Sequence, residues 1–167
     1  MISIVKPFTV CFFGHRYITD FALIEKYVET VINELLESKE YVEFLIGRNG
    51  DFDRLVTSAV CRCQKACGNE NSSLILVLPY MTAEYRKNEK AFLEYYDEVE
   101  ISYNASKAHF RAAMYIRNRE MIDRCDLAVF FVEREQGGAY QAYKYALEQN
   151  KPTINLANLM NSSNLYY

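Results

Sequence analysis

The chain has 167 residues, with 19 Lys and Arg against 22 Asp and Glu, a net charge of −3, half of its residues apolar and no Trp. That length fits one domain, large enough to fold without a metal or a disulfide. The charge supplies no global positive field for duplex DNA or an anionic membrane, and no apolar run approaches the roughly 20 residues that span a bilayer. Collagen-like, disordered, membrane-spanning and disulfide-rich secreted classes are therefore not expected. The opening MISIVKPFTVCFFG has no basic segment and no small-residue cleavage site; it reads as a strand, and the chain as cytoplasmic.

Thr9–Phe13 is a short continuous apolar run, suited to a strand covered on both faces. Asp20 is placed to cap a helix in which Ile24, Val28, Val31 and Leu35 recur at helical spacing. A second strand, Tyr41–Ile46, stops at Gly47, and a helix from about Phe52 to Ala66 closes at Gly68. Leu74–Leu78 forms a third strand, ended by Pro79, and Thr82 opens a charged helix to about Tyr96. Val99–Ser102 is a short strand. A helix from about Lys107 to Arg124, a strand Leu127–Val132, a helix from about Gly138 to Gln149 and a last strand Thr153–Leu156 complete the series. Strands alternating with amphipathic helices predict a three-layer α/β Rossmann-like fold, its mostly parallel sheet covered by helices on both faces. One domain over 1–157 and a polar tail over 158–167 follow.

Five cysteines without an export signal fit reduced thiols. In the cluster Cys61-Arg-Cys63-Gln-Lys-Ala-Cys67 only Cys63 and Cys67 share a helical face, with no His nearby, so buried small hydrophobes are expected and no metal site. Most of the 14 tyrosines, Tyr27 and Tyr143 among them, read as packing residues, and His109 as a cap or solvated side chain.

Ligands of such sheets collect beyond the carboxyl ends of the strands. After the first strand come Gly14, His15 and Arg16: either an ordinary turn, or a tight approach flanked by a planar donor fork. After the second come Gly47, Asn49, Gly50, Asp51 and Asp53, just before a helix whose free amides favour an anion. Asp51 reads as a cap; Asp53 reads either as a cap or as a partner for a ribose hydroxyl. On the helix before the fifth strand, Phe110, Met114, Met121 and Cys125 form one stripe, and Arg117 falls within it. An inward guanidinium needs a carboxylate, a carbonyl or a ligand anion, or else its stem packs while its head reaches water; a ligand is the favoured reading, with Asn118 and Arg119 adding polar contacts at the same edge. After the fifth strand, Gly137 and Gly138 open another helix N-terminus.

Gly14-His15-Arg16, Gly47-x-x-Gly50-x-Phe52-Asp53, Arg117-Asn118-Arg119-x-Met121 and Gly137-Gly138-Ala139 together resemble the SLOG superfamily, nearest its YpsA-like bacterial branch, over about residues 8 to 156. The resemblance implies a Rossmann-like fold and a nucleotide or nucleotide-derived ligand such as a nucleoside phosphate or an ADP-ribose-like molecule. Gly14, His15 and Arg16 would line its site, and the glycine loops would hold phosphate or ribose. The Met-x-x-Arg-Lys-x-x-Met helix of the related Lonely Guy phosphoribohydrolases is similar to Met114–Met121, which matches their ligand-facing Arg to Arg117. Those enzymes continue Gly-Gly-x-Gly-Thr-x-Glu-Glu with a catalytic glutamate; here Gly137-Gly138-Ala139-Tyr140-Gln141-Ala142-Tyr143-Lys144 holds no carboxylate at either position.

Cleaving an N-glycosidic bond needs anionic stabilisation and proton transfer. No catalytic residue is therefore assigned, with Asp53 and Glu135 as the candidate substitutes. The expected function is a non-catalytic sensor of a nucleotide-like small molecule, without cofactor or membrane partner, with nucleic acid unlikely and a homodimer possible by resemblance. The alternatives are a phosphoribohydrolase-like N-glycosidase with relocated carboxylates, or a protein-interaction domain.

Overall fold

The computed structural model describes residues 4–68 and 70–163. Six strands, β1 (Phe8–Gly14), β2 (Val42–Ile46), β3 (Ser72–Leu78), β4 (Glu98–Ile101), β5 (Leu127–Phe131) and β6 (Thr153–Asn155), pair throughout in parallel, in the order β4-β3-β2-β1-β5-β6. The sheet is thus wholly parallel, and both of its faces are dry. Val10, Phe12, Phe44, Ile46, Leu74, Leu76 and Val129 point into one core, while Cys11, Phe13, Leu45, Ile75, Val77 and Phe130 point into the other. Two-sided burial is why these strands read as continuous apolar runs.

The first core is roofed by α1 (Phe21–Ser38), α2 (Asp51–Cys67), α3 (Ala83–Tyr95) and α7 (Leu156–Ser163). The second is roofed by α5 (Phe110–Arg124) and α6 (Gly138–Glu148). From β1 the chain winds outward through β2, β3 and β4, then crosses to β5 on the other side of β1. The loops after β1 and β5 therefore diverge to opposite faces and leave a crevice between them. Among the described residues, no helix is long and apolar enough to cross a membrane.

Several local expectations are corrected. Asp20 does not cap α1 with its side chain; it adopts a left-handed conformation at φ 52°, and its backbone carbonyl accepts from Ile24. The helix expected from about Lys107 to Arg124 begins at Phe110 as α5, where His109 Nδ1 accepts from the Arg111 amide, and it is preceded by an unexpected short helix α4 (Tyr103–Lys107), capped by Ser102 Oγ. That boundary places Phe110 at an exposed helix start, 67% accessible, so it leaves the buried stripe while Arg117, Met121 and Cys125 keep it. Residues 156–163 form α7, whose Leu156 and Ala157 are buried; the segment read as a polar tail is helical through Ser163, and 164–167 lie outside the described residues. Cys11, Cys63 and Cys125 are buried as expected, whereas Cys67 is exposed at the end of α2. Tyr143 packs on Phe130 with ring centroids 5.1 Å apart, and half-buried Tyr27 lies against the first core.

Candidate functional site

Three loops, after β1, β2 and β5, meet beside α5 around a cavity of about 780 Å³. Gly14, His15 and Arg16 reach it from the first loop, Gly47, Asn49 and Gly50 from the second, and Gly137 and Gly138 from the third. Asp53 on α2 and Arg117 and Asn118 on α5 complete the set. All of the ligand-binding candidates read from the sequence thus surround one space. Of the two candidate carboxylates, Asp53 lines it and exposed Glu135 does not. Arg119, expected at this edge, instead lies over the rings of Tyr115 and Tyr145, 4.2 and 4.5 Å from their centroids.

The first two loops are tied to each other by hydrogen bonds from both backbone and side chains. The Asp51 amide donates to the Arg16 carbonyl at 2.8 Å, Arg16 Nε donates to the Asn49 carbonyl at 3.1 Å, and the Ile18 amide donates to Asp51 Oδ2 at 3.3 Å. Asp51 therefore fastens the first loop to α2; it does not cap its own helix. Gly50 exists for this contact: a Cβ there would stand 2.5 Å from Arg16 Cα and 2.8 Å from its carbonyl oxygen. Its backbone is extended at φ 176°, so the demand is for space, not for a left-handed turn. Gly50→Ala is expected to cost about 1–3 kcal/mol in urea unfolding, as overpacking does, and to weaken ligand binding further by parting the first two loops.

Arg117 is only 3% exposed, yet its guanidinium is not closed into an ion pair of contact length. Nε donates to Asn118 Oδ1 at 3.0 Å, one terminal nitrogen to the Val77 carbonyl at 2.8 Å, and the other to the Met114 sulfur at 2.8 Å. A guanidinium carries five N–H donors, so two remain beyond those three bonds. Gly47 packs flat against it: a Cβ there would lie 2.8 and 3.1 Å from the terminal nitrogens and 3.1 Å from Asp53 Oδ2. Burial pulls the Arg117 pKa down to about 10, and the Asp53 charge opposes that fall, so the side chain stays cationic at neutral pH.

Asp53 Oδ2 accepts the Asn49 amide at 2.8 Å and shapes the second loop. Burial of its carboxyl group raises its pKa, with the Asn49 bond and the Arg117 charge acting against the rise. A carboxyl raised in the native state favours folding at low pH, and that contribution is lost as pH climbs through the native value.

Sequence reasoning passed over Arg134, Tyr17 and Gln136, which also line the cavity. Arg134 was legible as the cation between a strand end and paired glycines; one of its terminal nitrogens donates to the Tyr17 carbonyl at 3.2 Å. With Arg134 included, the charged lining comprises Arg16, Arg117 and Arg134 against Asp53 alone. The site is locally cationic in a chain that is globally acidic.

No family model matches the chain, and no curated protein matches it. Among solved structures, DNA processing protein A from Helicobacter pylori, described by its single-stranded DNA binding mode, superimposes with a TM-score of 0.62 at 14% identity, over 88% of this chain and 64% of that one. DNA processing protein A from Streptococcus pneumoniae gives a TM-score of 0.62 at 17% identity, over 88% of this chain and 49% of that one. The chain thus spans less than two-thirds of either relative, and at these identities the likeness establishes the α/β Rossmann-like fold. It also corrects the expectation that nucleic acid is an unlikely partner, since a protein of this fold binds single-stranded DNA. A net charge averages over the whole chain, whereas phosphate contacts are made by local cations.

Proposed function

We propose that this cavity binds a nucleotide unit by its phosphate and sugar, and holds it without cleaving the glycosidic bond, as the non-catalytic, YpsA-like SLOG reading implies. The observation that carries this is the buried, cationic Arg117, with two donors to spare, facing three loop termini at the sheet's switch point. A desolvated cation with unspent donors is completed by an anion, and glycine-bordered loop amides suit a phosphate. Among the described residues Asp53, already engaged by the Asn49 amide, is the one carboxylate in the lining, so hydrolysis has no second carboxylate with which to share the acid and base roles.

A second reading, in which the bound unit belongs to a single strand of nucleic acid, is favoured by the Helicobacter pylori likeness. Exposed Tyr17 beside Arg16 and Arg134 supports it, because bases stack on aromatic faces while cations follow the backbone.

A panel of AMP, ADP-ribose and a fluorescein-labelled hexathymidylate separates these readings by thermal shift and fluorescence anisotropy. A ligand at about 100 times its Kd adds ~2.7 kcal/mol, a rise of about 5–10 °C for a domain of this size. At least one probe is expected to bind saturably with no free base released on chromatography. Hexathymidylate binding without either free nucleotide would select the strand reading; released base would revive the N-glycosidase alternative.

A further inference from the structure

The β5–α6 loop brings Arg134, Gly137 and Gly138 to the cavity, and one side chain holds its start in place. His15 Nε2 accepts the Glu133 amide at 3.0 Å and the Arg134 amide at 3.2 Å. The ring is 5% exposed and meets Phe131 edge-on at 6.3 Å. A nitrogen that accepts two amides carries no proton, so the single proton of the neutral ring sits on Nδ1. An imidazolium would instead aim an Nε2–H at two other N–H groups, three donors with no acceptor among them, and the loop would have to withdraw.

We propose that His15 is the positioning residue of the β5–α6 loop, and that an anionic ligand binds this cavity only while that imidazole is neutral. The inference rests on the cavity reading above. Burial, with the nearby Arg134 charge, moves the His15 pKa below its ordinary 6.5, and Glu133 opposes the shift, so the competent form prevails at neutral pH. A histidine lowered in the native state makes its contribution to stability above about 6.5, and that contribution is lost as pH falls toward the native value.

The direction of the effect is diagnostic. The other charged groups around the cavity are Glu133 and Arg134 on the same loop, Arg16 beside His15, Asp53 on α2 and Arg117 on α5. Protonating the lining carboxylate Asp53 makes the cavity more positive and leaves the β5–α6 loop in place. Only protonation of His15 dismantles the loop and loosens a bound anion.

The test reads the loop and the ligand separately. In the free protein, nitrogen-15 NMR should show His15 as the Nδ1–H tautomer, with the Glu133 and Arg134 amide resonances moving along its titration curve. ADP-ribose is the probe, because its pyrophosphate, unlike a monoester with a pKa near 6, has no proton to exchange between pH 5 and 8. Its affinity should fall by up to ~tenfold per pH unit below the native His15 pKa. His15→Gln, which keeps an acceptor near Nε2, should flatten the profile, and His15→Ala should bind weakly at every pH. An Nε2–H tautomer, or amides indifferent to the titration, overturns the inference, as does ADP-ribose affinity that holds or rises on acidification. Amides that follow the titration in a protein that binds no ADP-ribose would uphold the role of His15 and count against the ligand reading instead.

Discussion

Arg117→Ala is expected to lower folding stability by about 3–5 kcal/mol and to abolish ligand binding. Truncation leaves the Val77 carbonyl and Asn118 Oδ1 without their donor, and Asp53 without its compensating charge. Stability alone does not separate a structural arginine from a ligand-binding one, so Arg117→Lys is the more telling variant. Lysine keeps the positive charge near Asp53 but not the planar fork, so it makes at most part of the contacts to Val77, Asn118 and Met114 and offers a ligand no second edge. It should unfold at a urea midpoint between those of the wild type and the alanine variant, and its affinity for the probe that the wild type binds should fall at least tenfold. Full affinity in Arg117→Lys would make the guanidinium a buttress of the fold alone.

Gly14→Ala should be nearly as damaging, for a steric reason. Gly14 ends β1 opposite Phe131, and a Cβ there would lie 2.2, 2.3 and 2.6 Å from Cγ, Cδ1 and Cβ of Phe52. Phe52 is fully buried and stacked on Phe131 at 6.0 Å and 19°, and its ring root cannot retreat as the tip of a flexible side chain would. Overpacking typically costs about 1–3 kcal/mol, and contacts this short place Gly14→Ala at or above the top of that range. The cause is checked by a double-mutant cycle. Phe52→Ala removes Cγ and Cδ1, the two nearest atoms, so in the Gly14→Ala background it should cost less than the sum of the two single losses, because the two sites are directly coupled. Additive losses would locate the damage elsewhere.

Much of the architecture was legible because its causes are local. Continuous runs such as Leu74–Leu78 exist because both faces of a parallel strand are buried, and 100° periodicity was enough to place Arg117 on the same inward face as Met121. The misreadings share a different character. The short helix α4 has no signal in the hydrophobic pattern; it depends on the cap from Ser102, which stands at the end of a segment read as strand, whereas the cap from His109 was legible. Residues 156–163 look polar because only Leu156 and Ala157 are buried, and that short helix packs on the face roofed by α1. At the site, strand ends and glycines pointed to the right loops, but the tie from His15 to Glu133 and Arg134 spans more than a hundred residues and only the fold reveals it. The three arginines around the cavity were hidden in the total, because a net −3 says nothing of how cations cluster.

The most direct measurement is a chemical-shift map of nitrogen-15-labelled protein titrated with ADP-ribose and, separately, with hexathymidylate. Saturable shifts are expected at the amides of Gly14–Tyr17, Gly47–Gly50 and Glu133–Gly138, the three loops that converge on Arg117, from at least one of the two ligands. If neither ligand moves those amides, or if the shifts fall on α3 and α7 and leave the three loops untouched, the cavity is not a nucleotide site.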